Sequence, residues 1–345
     1  MRVKMKISLL TSPNEHGSLY IMCRDLSVEL KKLGHEVEIH GSYQECAKMG
    51  PDLLLNFEPK QMVYVQSAAN RWWKCGQLVN VFSMSCETYT QAMMAGYLAT
   101  GFETAMICIS PAIYGDLMGR AKELFNPANI RKLDKNFVQI PYGVLDCFHF
   151  EKKTDRLDNW ICPITRICED KRFEDHQETT KRLMPMFRLI GVGQPNTDMF
   201  MSTKLSLSRL NDFTTEGYTA KPMILDRKEY AEALRKYAFA MVTCHFESFG
   251  LYYIELLLSG VVCVFVDYPW VKKLLPGYKY TCSLEDLPGM ALYVRKNYDE
   301  AFGYLENEVI PFIRKEYLLS SFASKLMDAL PSLPKGTGPR YKVTT

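Results

Sequence analysis

Two hydrophobic patterns alternate along the chain, and their alternation carries most of the fold prediction. Residues 6–10 form a short apolar run that turns polar over residues 11–18. From Leu19 the spacing becomes helical, with Leu19, Met22, Cys23, Leu26, Leu30 and Leu33 on one face. Gly34 ends that helix, and Val37-Glu38-Ile39 alternates as a second strand. A β-loop-α-β unit of this kind opens a doubly wound sheet, whose ligand crevice lies beyond the strand ends. The loop lacks G-x-G-x-x-G, so the dinucleotide fingerprint is absent. The same reading predicts strands at residues 53–56, 62–65, 79–82 and 105–109, with helices over 89–100 and 114–125.

Residues 140–144 read as a strand end, and the charged segment 151–158 as a linker. The pattern then restarts, with strands predicted at 160–165, 187–192, 222–225, 238–243 and 261–266. Helices are predicted over 175–186 and 227–236, with a helical region at 310–330, while 194–221 reads as irregular and polar. The expected fold class is α/β, with two Rossmann-like doubly wound domains at 1–150 and 151–330. A tail, 331–345, carries Lys335, Arg340 and Lys342 and no acidic residue.

Composition narrows the class further. The 345 residues are 47% hydrophobic and 23% charged, which excludes a disordered or fibrous chain. A net charge of +3 is too small to imply nucleic-acid binding by itself. Eleven cysteines without a C-x-x-C pair signal neither a disulfide framework nor a zinc ribbon. They suit buried thiols in a reducing compartment, so a cytoplasmic protein is expected. The apolar run after Met1 is too short for a secretory core, and no stretch approaches a membrane span.

The chain's candidate chemistry centres on residues 245–255, His-Phe-Glu-Ser-Phe-Gly-Leu-Tyr-Tyr-Ile-Glu. Glu247 and Glu255 flank a strand-to-helix turn; eight residues at about 100° each come to about 800°, some 80° past two full turns. A helix starting near Ser248 therefore puts Glu255 on a buried flank and leaves Glu247 in the loop at its mouth. Gly250 lets the backbone approach a ligand, and the free N–H groups of a helix start suit an anion. An ordinary strand-turn-helix with two solvated glutamates fits these residues equally well. A second element is Arg166-Ile-Cys-Glu-Asp-Lys171, where a guanidinium fork and an ammonium after a strand can face one diphosphate. Standing alone, it reads as a solvated loop.

Taken together, these motifs resemble the retaining glycosyltransferases of the GT-B architecture, the large family four. The resemblance rests on Gly34-His35-Glu36-Val37, Ile140-Pro141-Tyr142-Gly143-Val144 with Phe148, and Arg166 with Lys171. It continues through Glu247-Ser248-Phe249-Gly250-Leu251 with Glu255, and Gly260 before a Val-rich strand. It implies two domains facing across a cleft, acceptor side first and nucleotide-sugar side second, with a C-terminal helix returning toward the first. It also implies that Arg166 and Lys171 hold the donor diphosphate and that Glu247 contacts the sugar. The amides of Phe249, Gly250 and Leu251, in the turn opened by Ser248, would face sugar and phosphates. Glu255 would take the ribose hydroxyls, and Ile224, Leu225 and Asp226 the base through their main chain. The Gly17 loop would approach the diphosphate from the other domain. A nucleotide-sugar, UDP-sugar first, is the implied donor, and no metal is implied, in keeping with the absence of D-x-D. The chain departs from the pattern where a first-domain histidine is usual: residues 81–88 read Val-Phe-Ser-Met-Ser-Cys-Glu-Thr, leaving Glu87 or Ser85 for that role. A smaller departure is Val262, where a proline is usual.

The acceptor is less legible. Arg71-Trp72-Trp73-Lys74 suits a lipid headgroup layer, a sugar or stacked bases, and equally one core and one surface tryptophan. Three readings stay open: a transferase acting on a glycan, lipid-linked or small acceptor; one decorating hydroxymethylated pyrimidines in DNA, as in bacteriophages; and a non-catalytic sugar-nucleotide-binding protein.

Overall fold

The computed structural model describes residues 4–14, 17–72, 76–83, 89–148, 150–152, 157–165, 167–189, 196–201 and 218–334. The chain divides into two compact units, Met1–Gly143 with Leu318–Thr345, and Val144–Tyr317. Each is built on one parallel sheet that has six strands among the described residues.

In the first unit the elements run β1 (Lys6–Leu10), α1 (Ser18–Lys32), β2 (Glu36–His40), α2 (Tyr43–Met49), β3 (Leu53–Asn56), α3 (Met62–Trp72), β4 (Gln77–Phe82), α4 (Gln91–Thr100), β5 (Ala105–Cys108), α5 (Pro111–Leu124), α6 (Pro127–Asn136) and β6 (Phe137–Gln139). The sheet order is β2-β1-β3-β4-β5-β6. Strands β3, β4 and β5 are buried along their whole length, as helices on both faces require. The chain returns to this unit at its end, where the helix Leu319–Ala329 packs on α1. There Phe322, fully buried, sets its ring 4.7 Å from that of Tyr142, and the Gln77 side chain donates to the Leu330 carbonyl at 3.3 Å.

One predicted strand of this unit is a helix. Residues 62–65 begin α3, introduced by a 3-10 turn, Pro59–Gln61, that Glu58 caps. Met62, Val65 and Ala68 are buried while Val63 and Tyr64 stand 48% exposed, a helical stripe that a four-residue apolar run does not reveal.

In the second unit the strands are β7 (Asn159–Ile161), β8 (Asn196–Met201), β9 (Tyr218–Pro222), β10 (Phe239–Val242), β11 (Val262–Val266) and β12 (Thr281–Cys282), with α7 (Phe173–Leu189) after β7. Their order is β12-β11-β10-β7-β8-β9. Further helices occupy Arg227–Leu234, Leu251–Leu258, Pro269–Leu274, Leu287–Lys296, Tyr298–Tyr304 and Ile310–Glu316.

Four expectations are corrected here. Residues 187–189 end α7 instead of opening a strand, because Leu183 and Phe187 bury one helical face; 190–192 lie outside the described residues. The polar stretch contains β8 and β9, since Asp198 is buried with Lys221 at 2.6 Å and the Tyr237 hydroxyl at 2.8 Å. The strand expected at 222–225 lies earlier and ends at Pro222, on the sheet edge where a missing N–H is tolerated. The 310–330 region breaks at Tyr317, where the chain passes from one unit to the other.

Candidate functional site

Topology alone selects a place to look. From β7 the chain builds β8 and β9 on one side, then returns to lay β10, β11 and β12 on the other. The connections after β7 and β10 therefore diverge, and open parallel sheets bind ligands in the crevice at such a switch point. The two strands are hydrogen-bonded neighbours, with Phe239 opposite Trp160 and Ala240 opposite Ile161, so both connections leave the same sheet edge.

The two loops are stitched together. The His245 amide donates to the Asp170 carbonyl at 3.0 Å. The Thr243 hydroxyl donates to the carbonyls of Lys171 and Arg172 at 3.3 and 3.2 Å. Arg172 ends a 3-10 turn, Glu169–Lys171, at φ +50°, a left-handed conformation unusual for a non-glycine residue. Its side chain meets Asp175 and the Tyr268 hydroxyl, and the His245 ring lies edge-on to Tyr268 at 4.8 Å.

These contacts bring the ammonium of Lys171 to 2.5 Å from the carboxylate of Glu247. Asp170 Oδ2 and Cys244 Sγ each lie 3.4 Å from the same nitrogen. The Lys171 side chain is 15% exposed and that of Glu247 21%. Burial by itself lowers a lysine's pKa, but Glu247, then Cys244 and Asp170, outweigh it and hold the ammonium above the ordinary lysine value. Lys171 is a cation at neutral pH. Burial, with Glu247 beside it, pushes the Cys244 thiol up to about 11, so it is no nucleophile.

Beyond Glu247 the loop passes Ser248 and Phe249 and reaches Gly250, at φ +79° and ψ +41°. A Cβ there would stand 2.9 Å from the Tyr253 ring, so both the backbone angle and the space demand glycine. The helix begins at Leu251, three residues later than the sequence suggested. The N–H groups of a helix's first turn have no acceptor further back in the helix, and here that turn directly follows the loop that holds Glu247.

Glu255 lies inside this helix, 6% exposed, and pairs with the guanidinium of Arg227. Ile224, Leu225 and Asp226 form the irregular segment between β9 and the helix that Arg227 starts. Asp226 caps that helix, one carboxylate oxygen accepting from the amides of Lys228 and Glu229 at 2.9 Å. Gly17 belongs to the first unit, where it ends the loop after β1; its amide donates to the Asn14 carbonyl at 2.8 Å. That loop sits at the first unit's own switch point, between β1 and β3. Arg166, Ser85 and Glu87 lie outside the described residues, as do Trp73 and Lys74.

Among the predicted residues, then, the structure brings Lys171 and Glu247 into contact and sets the turn 248–251 next to them. Arg227 was not anticipated. The available signal was a cation in a helix's first turn, where it opposes the macrodipole and so needs another partner.

No family model matches the chain, and no curated protein matches it in sequence. Solved structures do match in shape. Anabaena Alr3699/HepE in complex with UDP-glucose superposes with a TM-score of 0.71 at 11% identity, covering 95% of this chain and 100% of that one. Sucrose-phosphate synthase from Thermosynechococcus elongatus gives 0.70 at 11% identity, over 95% and 98%. The lipopolysaccharide outer core galactosyltransferase WaaB, in its apo form, gives 0.57 at 12%, over 95% and 100%.

The chain has the GT-B fold.

Within the GT-B fold described here, no three His, Cys, Asp or Glu side chains of the described residues gather as a metal site. No described helix is long and apolar enough to cross a membrane.

Proposed function

We propose that the chain is a glycosyltransferase that moves a sugar from a nucleotide-sugar, a UDP-sugar first, to an acceptor hydroxyl with retention of anomeric configuration. The observation that carries this reading is the Lys171–Glu247 pair at the β7–β10 switch point, set beside a glycine-led helix start. The GT-B fold and the UDP-glucose bound by HepE support it.

In this reading Lys171, with Arg166, offsets charge that develops on the departing diphosphate, a preorganised electrostatic contribution. Glu247 accepts hydrogen bonds from sugar hydroxyls. The amides of 249–251 face the phosphates, and Ile224, Leu225 and Asp226 line the base through their main chain. The bond from the anomeric carbon to the phosphate oxygen breaks as the acceptor oxygen bonds to the same face. The acceptor proton passes to a donor phosphate oxygen. Glu247 and Glu255 are therefore not the carboxylate pair of a retaining glycosidase. No step calls for a divalent metal.

The acceptor is a glycan, a lipid-linked glycan, a small hydroxyl compound or a hydroxymethylated pyrimidine in DNA, and one experiment separates these. Purified protein with chelator is offered UDP-, GDP- and ADP-sugars against glycan, lipid-linked, small hydroxyl and hydroxymethylated duplex DNA acceptors. Products are read by mass spectrometry and anomeric proton coupling. Transfer with an α-donor giving an α-product supports the reading. An inverted product, a requirement for added metal, or no turnover with any pair would each remove part or all of it. DNA binding without salt dependence would remove the DNA acceptor, because phosphate neutralisation must show a salt slope.

A further inference from the structure

Glu255 is a carboxylate placed inside a helix, where an ion without a fixed partner is costly. Its partner is Arg227, whose guanidinium reaches Oε1 from the start of a different helix. The two side chains are 12% and 9% exposed. Arg227 is in turn held by aromatic faces, 5.1 Å from the Tyr230 ring and 5.5 Å from that of Phe148. Tyr230 is one helical turn further along, and its ring lies 6.3 Å from that of Phe148. The helix carrying Arg227 is anchored at its start by the Asp226 cap. A guanidinium packed against two aromatic faces stays where it meets Oε1, which a lysine's flexible point charge does not do as well.

We propose that Arg227 is a positioning residue for nucleoside recognition: it holds Glu255 in place so that the ribose diol of the donor is read. The inference rests on the nucleotide-sugar reading of the same site. It connects two segments that the sequence treats separately, since Arg227 directly follows the Ile224-Leu225-Asp226 loop assigned to the base. Ribose contacts persist unchanged from ground state to transition state, so loss of Arg227 belongs in donor KM and leaves kcat nearly intact.

The test compares UDP with 2′-deoxy-UDP by calorimetry on wild type, Arg227→Gln, Arg227→Lys and Glu255→Gln, with thermal melts of each. Wild type is expected to prefer UDP by about tenfold or more, the equivalent of a hydrogen bond of about 1.4 kcal/mol to a charged group. Arg227→Gln and Glu255→Gln should both bind the two nucleotides within about twofold of each other, and Arg227→Lys should fall between. Where Arg227→Gln does not fold, Arg227→Lys supplies the comparison. Undiminished preference for UDP in the folded Arg227 variants overturns the inference alone. Wild type that binds none of UDP, GDP or ADP overturns the nucleotide-sugar reading and this inference with it. A donor KM unchanged beside a falling kcat assigns Arg227 a merely structural part and also overturns it.

Discussion

At the scale of single residues, the site depends on charges held where water is partly excluded. Lys171→Met should lower turnover about 100-fold or more, the range seen when one preorganised electrostatic contact is removed. Glu247→Gln should lower kcat more than it weakens binding of free UDP, because UDP lacks the sugar. Steady-state kinetics beside calorimetry check both. A different residue controls acid stability. His176 is fully buried in α7, its Nδ1 against the Tyr218 hydroxyl, and burial drops its pKa to about 3. The unfolded chain takes up this proton below about pH 6.5 and the native one only near pH 3, so stability falls on acidification across that window, by about 1.4 kcal/mol per pH unit. His176→Gln should flatten that part of the curve in urea melts run between about pH 4 and 6. Lys171, Glu247 and Glu255 were singled out through a resemblance of several motifs taken together, since each motif alone reads equally as a solvated loop or an ordinary turn. The sequence hid Arg227 and the burial of His176, since both depend on neighbours far along the chain, Glu255 and Tyr218.

At the scale of elements, the turn at Gly250 decides where the helix Leu251–Leu258 starts and hence where its amides point. Gly250→Ala requires a left-handed alanine, roughly 1–2 kcal/mol, and adds a methyl against the Tyr253 ring. A lower Tm with weaker UDP binding is the expected outcome; an unchanged Tm would mean the turn relaxes freely. Most strands were legible because a strand buried on both faces is a short apolar run, as in β3, β4, β10 and β11. The failures share one cause. Residues 62–65 are an apolar run and 187–189 an alternating one, each too short to show a period, and both are helical. Strand β8 was missed for the opposite reason, because Thr197 and Asp198 are polar yet buried, Asp198 through partners on β9 and near β10.

At the scale of the whole molecule, the division into units was expected near residue 150 and again at the tail. The observed first unit runs to Gly143 and resumes at Leu318, taking in the last long helix. Periodicity alone reads a helix's face but not which sheet that face will cover; the return of the last helix was expected from the resemblance instead. Phe322→Ala, at a fully buried position against Tyr142, should cost about 3–5 kcal/mol in the first unit only. Calorimetry should then show two separated transitions, with UDP raising the upper one. A single transition displaced as a whole would mean that the units unfold together.

The return of the chain at Leu318 also bears on synthesis. Residues made after the second unit complete the unit begun before it, whereas Val144–Tyr317 is continuous and can close on itself as soon as it emerges. On the ribosome, the part of the first unit that ends at Gly143 must wait through the making of the whole second unit before the helix Leu319–Ala329 arrives to pack on α1. That interval is when the chain's apolar surface is open to chaperones and to aggregation.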